Sequence, residues 1–380
     1  MLFVFWLSVA VVAYVYVGYP LAMCLLSRLK ADPPELTVTK WPSVSLIIAA
    51  HNEERSIADK IGNSLTLNYP SDKLDIIVAS DGSTDRTDTI VATFRSRGVR
   101  LICIEGRQGK TAAQNAAAAG AAGEIIVFSD ANALYAPNAL LQLARHFSSE
   151  RVGCVEGRRL DFSPTAAATA RHELTYRDME SRIKTWESRV LSCTGATGPI
   201  YAVRRASYVP LDPAMISDLM EPIFIMSRHG KRHVFEHGAV SREAALADMR
   251  DEFQRKVRIM TRCLNSLRMA PEVLNPLRTG WFAVQVISHR LLRWLAPAFA
   301  IAAFVANLFL VHHPLYQATM LLQVLLVAAM FLGWLSDLGK IGPGWLRLPY
   351  YFGVANLAAL IAIRNCLMGR NVVAWRTQRA

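Results

Sequence analysis

Apolar residues are concentrated at the two ends of the chain, and the middle is mixed. Residues 1–26 contain no charged side chain, and Arg28 and Lys30 follow directly. The run is longer than the roughly 20 helical residues that cross a bilayer, and it lacks the basic start and cleavage site of a signal peptide. We therefore predict an uncleaved transmembrane anchor at 1–27, with the next domain in the cytoplasm, where basic flanking residues prefer to lie.

Three more apolar runs lie near the C-terminus, within residues 294–366. The runs 295–311 and 315–336 are free of charged residues and predict two membrane helices. The third, 348–363, is only marginally long enough. If it spans the membrane, the basic tail at 367–380 lies outside, against the positive-inside rule; if it is re-entrant or interfacial, the tail stays inside. The sequence leaves both alternatives open.

Residues 276–293 form a separate segment in which aromatic and aliphatic residues alternate with basic ones. Trp281, Phe282 and Val286 lie among Arg278 and Arg290. This pattern is typical of an amphipathic helix at the membrane surface, and we predict an interfacial helix here. The alternative is a helix that is buried against the soluble domain.

The middle of the chain, residues 43–275, alternates short apolar runs with helical patterns. Continuous runs rich in β-branched residues predict strands that are buried on both faces, and apolar residues three or four positions apart predict helices between them. The predicted strands are 44–49, 74–79, 99–104 and 124–128. This alternation indicates an α/β fold with a mostly parallel sheet that is covered by helices.

Composition narrows the class of protein and its partners. Hydrophobic residues make up 52% of the chain, charged residues 19%, and the mean hydropathy is +0.23, which excludes a largely disordered protein. The net charge of +12 favours anionic partners such as phosphorylated small molecules, membrane lipid or nucleic acid. Because the polar groups at the strand ends are acidic rather than basic and aromatic, we expect no nucleic-acid partner.

Polar side chains follow three of the predicted strands at the point where each strand ends. Asn52 and Glu53 follow the first strand, Asp81 follows the second, and Asp130 and Asn132 follow the fourth. A single Asp or Asn after a strand is usually a turn or cap residue, but three such groups on one rim favour a binding site, because parallel sheets bind ligands at this edge. An Asp-x-Asn sequence also supplies the oxygen ligands that Mg²⁺ or Mn²⁺ prefers.

These motifs, in this order and spacing, resemble the nucleotide-sugar half of family-2 glycosyltransferases. The matching segments are 49–54, 80–85, 109–110, 130–132, 194–198, 217–218 and 255–258. With membrane helices at both ends, the chain resembles the synthase-type members that make hyaluronan, cellulose or poly-N-acetylglucosamine. The resemblance implies a GT-A fold and a UDP-sugar donor.

The resemblance also implies roles for single residues on the donor side. Those that it places around the donor nucleotide are Asn52, Glu53, Asp81, Lys110 and Asp130. Asp130 and Asn132 stand at the family's DxD positions, which hold the diphosphate and its Mg²⁺ or Mn²⁺; the Asn replaces a carboxylate with a neutral oxygen. Arg255 and Arg258 would lie near the diphosphate. Arg255 and Ile259 replace the Gln and Trp of the motif found in processive polymerases, which argues against polymerisation.

On the acceptor side, the resemblance implies that Gly195, Thr197 and Gly198 border the acceptor sugar. Asp218 aligns with the family's catalytic acid, and Glu221 is the competing candidate. The reaction needs a carboxylate that takes the proton from the acceptor hydroxyl as this attacks the anomeric carbon, and a single displacement inverts that carbon.

The sequence therefore predicts an inverting glycosyltransferase of the inner (plasma) membrane. Its catalytic domain would lie in the cytoplasm and transfer sugar from a UDP-sugar to a glycan or lipid-linked acceptor, in cell-envelope or exopolysaccharide synthesis. Two alternatives remain: a processive synthase that also translocates its product, and a nucleotide-binding membrane scaffold or sensor without catalysis. A homo-oligomer or a partner in an envelope complex also stays open.

Overall fold

The computed structural model describes residues 1–31, 36–162, 168–244, 249–339 and 347–370. The strands are β1 Val44–Ala50, β2 Leu74–Asp81, β3 Val99–Ile104, β4 Ile125–Asp130, β5 Leu134–Tyr135, β6 Val152–Phe162, β7 Ile200–Arg204 and β8 Arg232–Ala244. They form one eight-stranded sheet in the order β3-β2-β1-β4-β7-β6-β8-β5. The basic tail predicted at 367–380 is described only as far as Arg370.

Helices flank the sheet and form the apolar ends. In chain order they are α1 Leu2–Ala13, α2 Tyr19–Arg28, α3 Ile57–Leu65, α4 Thr87–Ala92, α5 Lys110–Ala119, α6 Ala139–Ala144, α7 Ala168–Val190, α8 Ser217–His229, α9 Met249–Met269, α10 Pro276–Thr279, α11 Trp281–Val286, α12 Leu292–Leu308, α13 Pro314–Gly339 and α14 Arg347–Leu367. Two π-helical segments, Tyr14–Gly18 and Ile287–Leu291, join α1 to α2 and α11 to α12.

The β3-β2-β1-β4 half of the sheet is parallel, and β7 continues it in the antiparallel direction. Leu46 and Ile48 of β1 pack into a core with α3 and α6 on one face, and Ile47 packs with α5 on the other. Both faces are buried, which explains the continuous apolar runs. The predicted α/β fold with a mostly parallel sheet is confirmed. Because parallel strands end at one edge, the ends of β1, β2 and β4 lie side by side there.

Within the part of the chain that the structure describes, four helical segments are long and apolar enough to cross a membrane. They are Leu2–Arg28, Trp281–Leu308, Pro314–Leu338 and Leu348–Leu367. The first two pack together, since Phe5 is buried against Ala303 and Ala306. Large aliphatic side chains such as Leu322 and Val327 point outward, as expected of surfaces that contact lipid tails.

The segment predicted as a separate interfacial helix at 276–293 differs in the structure. Its larger part, from Trp281 onward, continues through the second π-helical segment into α12 as one helical run that ends at Leu308. Phe282 and Val286 are fully buried in a cluster with α8 and α9. The start of this helical run therefore packs on the central domain, which corresponds to the alternative of a buried helix. The rest of the run continues as a candidate span.

Helix α14 lies along α9. Near the start of α14 the ring of Tyr351 lies 5.1 Å from Lys256 Nζ, and just beyond its end the carbonyl oxygen of Arg370 accepts a hydrogen bond from Asn265 at 2.9 Å. Because α9 is a charged helix of the central domain, both ends of α14 lie on the side of that domain. These contacts agree with the re-entrant or interfacial alternative for the third C-terminal run, and its length also allows a span, so both alternatives stay predictions.

Candidate active site

A pocket of about 780 Å³ opens where the parallel strands end, between α5, α7, α8, α9 and the helical run Trp281–Leu308. It collects side chains that are far apart in the sequence. The predicted site residues that line it are Glu53, Lys110, Asp130, Asn132, Thr197, Gly198, Asp218, Arg255 and Arg258. Asn52, Asp81 and Gly195 lie beside this lining rather than in it.

Asp81 is fully buried and holds the turn that carries Lys110. Its carboxylate accepts hydrogen bonds from the backbone N–H groups of Gln108 at 2.8 Å and Gly109 at 2.9 Å. Gly109 has φ +99°, a conformation that costs little only for glycine, so the turn requires that residue. In this geometry Asp81 acts on the pocket through the turn before α5.

Asn52 and Glu53 follow β1 and have different surroundings. Asn52 has φ +53°, and its side-chain oxygen accepts a hydrogen bond from the N–H of Thr84 at 2.8 Å, which joins the turns after β1 and β2. Glu53 lines the pocket, and its carboxylate accepts a hydrogen bond from Ser56 Oγ at 2.5 Å. Contact of Asn52, Glu53 and Asp81 with a nucleotide stays a prediction.

Lys110, Asp130 and Asp218 meet in the pocket. Lys110 Nζ donates a hydrogen bond to Asp130 Oδ1. A Cβ atom at Gly198 would lie 2.8 Å from Asp218 Oδ2 and 3.0 Å from Lys110 Nζ, so the ends of these two charged side chains both lie against the Gly198 backbone. Burial lowers the pKa of Lys110, but the carboxylates of Asp130 and Asp218 outweigh it and raise the pKa above its ordinary value. Lys110 is therefore a permanent cation beside two acids.

Asp218 lines the pocket as the second residue of α8, and Glu221 does not. Burial raises the pKa of Asp218; the charge of Lys110 opposes this rise and that of Asp130 adds to it. Glu221 is buried elsewhere, and its Oε1 accepts a hydrogen bond from the N–H of Val209 at 3.1 Å. Of the two competing acids, only Asp218 is placed to meet a substrate in this pocket.

Glu221 gives a testable pH dependence of stability. Burial raises the pKa of Glu221 from 4.5 to about 8, so the folded state holds a proton that the unfolded state releases. The contribution of this group to the free energy of unfolding is fully present below pH ~4.5. It falls by about 1.4 kcal/mol for each pH unit as the pH rises from there to about 8. We expect Glu221→Gln to remove this loss, so that its melting temperature, relative to the wild type, rises between pH 5 and 8 in thermal unfolding scans. An equal melting difference at both pH values would contradict this pKa.

The basic side of α9 borders the pocket, and its three arginines differ in the interactions that they make. Arg255 Nη2 lies 2.7 Å from Glu252 Oε2. The buried Arg262 donates a hydrogen bond to the carbonyl oxygen of Met215 at 2.8 Å and so holds the segment before α8. Arg258 forms no salt bridge within 4 Å among the described residues; burial and its arginine neighbours lower its pKa, and the charge of Asp130 opposes this. Because Arg258 lines the pocket, its charge is available to an anion bound there.

The residues around Asp130 fit a divalent cation that is bound together with a diphosphate. Asp130, Asn132 and the buried Glu243 all line the pocket, and Glu243 Oε1 accepts no hydrogen bond from the described residues. Burial, with a contribution from Asp130, raises the pKa of Glu243. Among the described residues no group of three or more His, Cys, Asp or Glu side chains is arranged to hold a metal. This agrees with Mg²⁺ and Mn²⁺ sites that use one or two carboxylates and take the other ligands from substrate phosphates.

Two ion pairs on the pocket wall were not predicted from the sequence. Lys184 Nζ lies 2.6 Å from Glu156 Oε1 and donates a hydrogen bond to Thr197 Oγ1 at 3.0 Å. Arg159 Nη2 lies 2.9 Å from Glu243 Oε2. Glu156 gives one signal, a charge directly after the uncharged run 152–155 of β6, and such a charge requires a partner if it is buried. The partners come from other elements, and no spacing in the sequence connects them.

Comparison with known proteins identifies relatives of the central domain. Residues 45–208 match the profile of glycosyl transferase family 2. The chain is 34% identical over 122 residues to a beta-monoglucosyldiacylglycerol synthase from Nostoc, a stretch that covers 31% of this chain and 26% of that protein. It is 28% identical over 116 residues to the poly-beta-1,6-N-acetyl-D-glucosamine synthase of Staphylococcus epidermidis, covering 30% of this chain and 28% of that one. The chain thus matches little more than a quarter of the length of these curated relatives.

One solved structure is similar over nearly the whole chain. It is a mannosyltransferase from Pyrobaculum calidifontis in complex with GDP-Man and Mn²⁺, which superposes with a TM-score of 0.70 at 20% sequence identity. The superposition covers 97% of this chain and 100% of that one. At this identity the likeness establishes the fold, and the GT-A-like architecture expected from the motifs is confirmed.

Proposed function

We propose that the chain, whose residues 45–208 match the profile of glycosyl transferase family 2, is a membrane-embedded inverting glycosyltransferase. It transfers a sugar from a UDP-sugar to a glycan or lipid-linked acceptor, in cell-envelope or exopolysaccharide synthesis. The four candidate membrane helices among the described residues support the attachment to a membrane. The observation that carries the proposal is the position of Asp218 in the pocket, beside the Lys110–Asp130 pair.

The chemistry assigned to these residues is one displacement at the anomeric carbon. The Asp218 carboxylate takes the proton of an acceptor hydroxyl, whose oxygen forms the new bond to the anomeric carbon. The bond from that carbon to the diphosphate oxygen breaks, and its electron pair leaves with UDP. Arg258 and Lys110 stabilise the negative charge that grows on the leaving group. The attack comes from the face opposite the leaving group and therefore inverts the carbon.

A divalent metal fits beside these cations. Asp130, Asn132 and Glu243 are the residues that would hold it. A bound Mg²⁺ or Mn²⁺ supplies further positive charge for the diphosphate.

A lipid-linked acceptor is supported by the composition of one pocket wall. Arg290 and Trp294 line the pocket and belong to the candidate span Trp281–Leu308. An acceptor anchored in the bilayer would therefore have its reactive group close to the pocket mouth. Of the two curated relatives above, one is named for a glucosylated diacylglycerol and the other for a polysaccharide, so the acceptor class of this chain stays a proposal.

The test is nucleotide release from the purified full chain in lipid nanodiscs. UDP-glucose, UDP-N-acetylglucosamine and GDP-mannose are offered with membrane lipid extract as the acceptor. We expect UDP release from one UDP-sugar, with a loss of about a hundredfold or more in EDTA and recovery with Mn²⁺ or Mg²⁺.

Each alternative has its own outcome in this assay. Release from GDP-mannose alone would contradict the UDP donor. UDP binding without release from any donor would favour the sensor alternative. Product length on the active donor separates a single transfer from polymerisation.

A further inference from the structure

A cluster of buried charges joins the candidate span Trp281–Leu308 to α7. Three cationic or protonatable side chains of the span meet one carboxylate, that of Glu180. Arg293 Nη1 lies 2.9 Å from Glu180 Oε2, His289 Nε2 lies 3.3 Å from the same oxygen, and Arg290 Nη1 lies 3.3 Å from Oε1. The cluster therefore ties the span to the central domain. No step of the chemistry above uses it.

Arg290 extends this cluster to the acceptor loop, which we define as residues 194–198. Its Nε donates a hydrogen bond to Thr194 Oγ1 at 3.2 Å, and its Nη2 donates to the carbonyl oxygen of Gly195 at 3.4 Å. The next residue of the loop, Ala196, donates its N–H to the carbonyl oxygen of Asp218 at 2.7 Å. A continuous series of contacts thus runs from the membrane helix through the loop to the backbone of the proposed base.

The N-terminal candidate span is linked to the same loop through Glu187 of α7. Tyr19 donates its hydroxyl hydrogen to Glu187 Oε1, and His289 Nδ1 lies 2.8 Å from the same oxygen. Thr194 Oγ1 donates to Glu187 Oε2 at 3.4 Å. Glu187 and Thr194 are both fully buried. The hydroxyl of Thr194 therefore lies between both candidate spans and α7.

The two π-helical segments also lie at this junction. The Tyr14 hydroxyl of the first is 2.8 Å from Ser288 Oγ of the second, and the rings of Tyr19 and His289 are 5.8 Å apart. A π-helical turn inserts one extra residue into a helix, rotates the side chains that follow, and is often found at functional sites. In the second helix this change in phase occurs where His289 and Arg290 turn toward the central domain.

We propose that Arg290 and Thr194 position the acceptor loop, so that the membrane helices set the distance between the acceptor wall of the pocket and Asp218. The inference rests on the function proposed above, since it takes residues 194–198 as the acceptor wall. Arg290 is a positioning residue, because it acts through the loop. Attachment of the span to the central domain would need only an ion pair with Glu180, which Arg293 also forms. The two hydrogen bonds from Arg290 to the loop are not needed for that attachment, and they hold the loop itself.

The guanidinium geometry of Arg290 makes the inference testable with the charge conserved. Arginine presents several N–H donors in a rigid plane, whereas lysine offers a point charge that can meet Glu180 but not the loop at the same time. Arg290→Lys therefore removes the clamp on the loop and keeps a cation for Glu180. Arg293→Lys is the matched control, since it alters the same cluster one turn away. Thr194→Val removes the hydroxyl acceptor at nearly constant volume, and Thr194→Ser retains it.

The first measurement is hydrogen–deuterium exchange of the full chain in lipid nanodiscs, read on peptides that cover residues 193–199. We expect Arg290→Lys and Thr194→Val to speed exchange in this segment about tenfold, as for the loss of one charge-assisted hydrogen bond. Peptides from β1 and β4 should not change, and Thr194→Ser and Arg293→Lys should retain the protection. Unchanged exchange in Arg290→Lys, or the same increase in Arg293→Lys, would overturn the proposal.

The second measurement uses the donor and acceptor on which the wild type is active. We expect Arg290→Lys to raise the KM for the acceptor about tenfold, while UDP affinity and the slow hydrolysis of the donor by water stay unchanged. A loss of UDP affinity equal to the loss of transfer would contradict a role confined to the acceptor side. If the wild type transfers no sugar but the loop exchange responds as expected, the proposed function fails and the positioning role stands.

Discussion

Replacing Asp218 with Asn is expected to lower the kcat of sugar transfer about a thousandfold, while UDP still binds with wild-type affinity or better. Removal of a general base typically costs between about 10² and 10⁴ in rate. Asp218 lies beside Lys110 on the pocket wall, so loss of its negative charge does not weaken the binding of an anionic nucleotide. Steady-state kinetics and UDP titration calorimetry on the full chain measure both quantities.

Glu221→Gln is the matched control for Asp218→Asn. Glu221 lies three residues along the same helix, outside the pocket lining, and burial keeps it protonated at neutral pH because its pKa is about 8. We expect Glu221→Gln to transfer sugar at a rate close to that of the wild type. Equal losses in both variants, or more than a tenth of wild-type activity in Asp218→Asn, would contradict the assignment of the base.

The wild-type pH profile offers a second check on Asp218. Since burial raises the pKa of this carboxyl, transfer should fall on the acid side at a higher pH than for an ordinary aspartate, because the base must be ionised to accept a proton. This acid limb should be absent from the residual activity of Asp218→Asn.

Arg258→Ala is expected to lower kcat and kcat/KM of transfer together, by about a hundredfold or more. Loss of one group that stabilises developing negative charge costs about 10²–10³ in rate. Equal losses in both constants are the signature of an interaction made mainly in the transition state. Arg258→Lys should recover part of the loss, because a cation remains although the planar donor fork is gone.

Arg268→Gln is the control for Arg258→Ala on the same helix. Arg268 is exposed and donates a hydrogen bond to the carbonyl oxygen of Cys366, away from the pocket lining. Its replacement should leave both kinetic constants nearly unchanged. A rise in donor KM for Arg258→Ala at constant kcat would mean that Arg258 only binds the ground-state diphosphate.

The sequence predicts the sheet and its polar edge well because both depend on local patterns. Runs of apolar residues that are buried on both faces, as in β1, leave an uninterrupted signal, and polar residues at a strand end stand out against it. The end of the fourth predicted strand singles out Asp130, the resemblance to family-2 glycosyltransferases singles out Asp218, and both line the pocket. Their chemical roles stay predictions until the variants are measured.

The supporting residues were missed because their partners are distant in the chain. Lys184 and Glu156 are 28 positions apart, and Arg290 and Thr194 are 96 positions apart. No periodicity connects such pairs. The mixed pattern of segment 276–293 favours the membrane surface but also fits a helix that is buried against protein, and the packing of Phe282 and Val286 distinguishes the two.

The contact of α14 with α9 has a practical consequence for dissecting this protein. A truncation after α13 would uncover the side of α9 that Tyr351 and Asn365 contact, on the helix that carries Arg258. A truncation before the central domain would remove Tyr19 from Glu187. The central domain is therefore not separable from its hydrophobic ends by cutting at either boundary. Biochemical work should begin from the intact polypeptide extracted with its surrounding lipid.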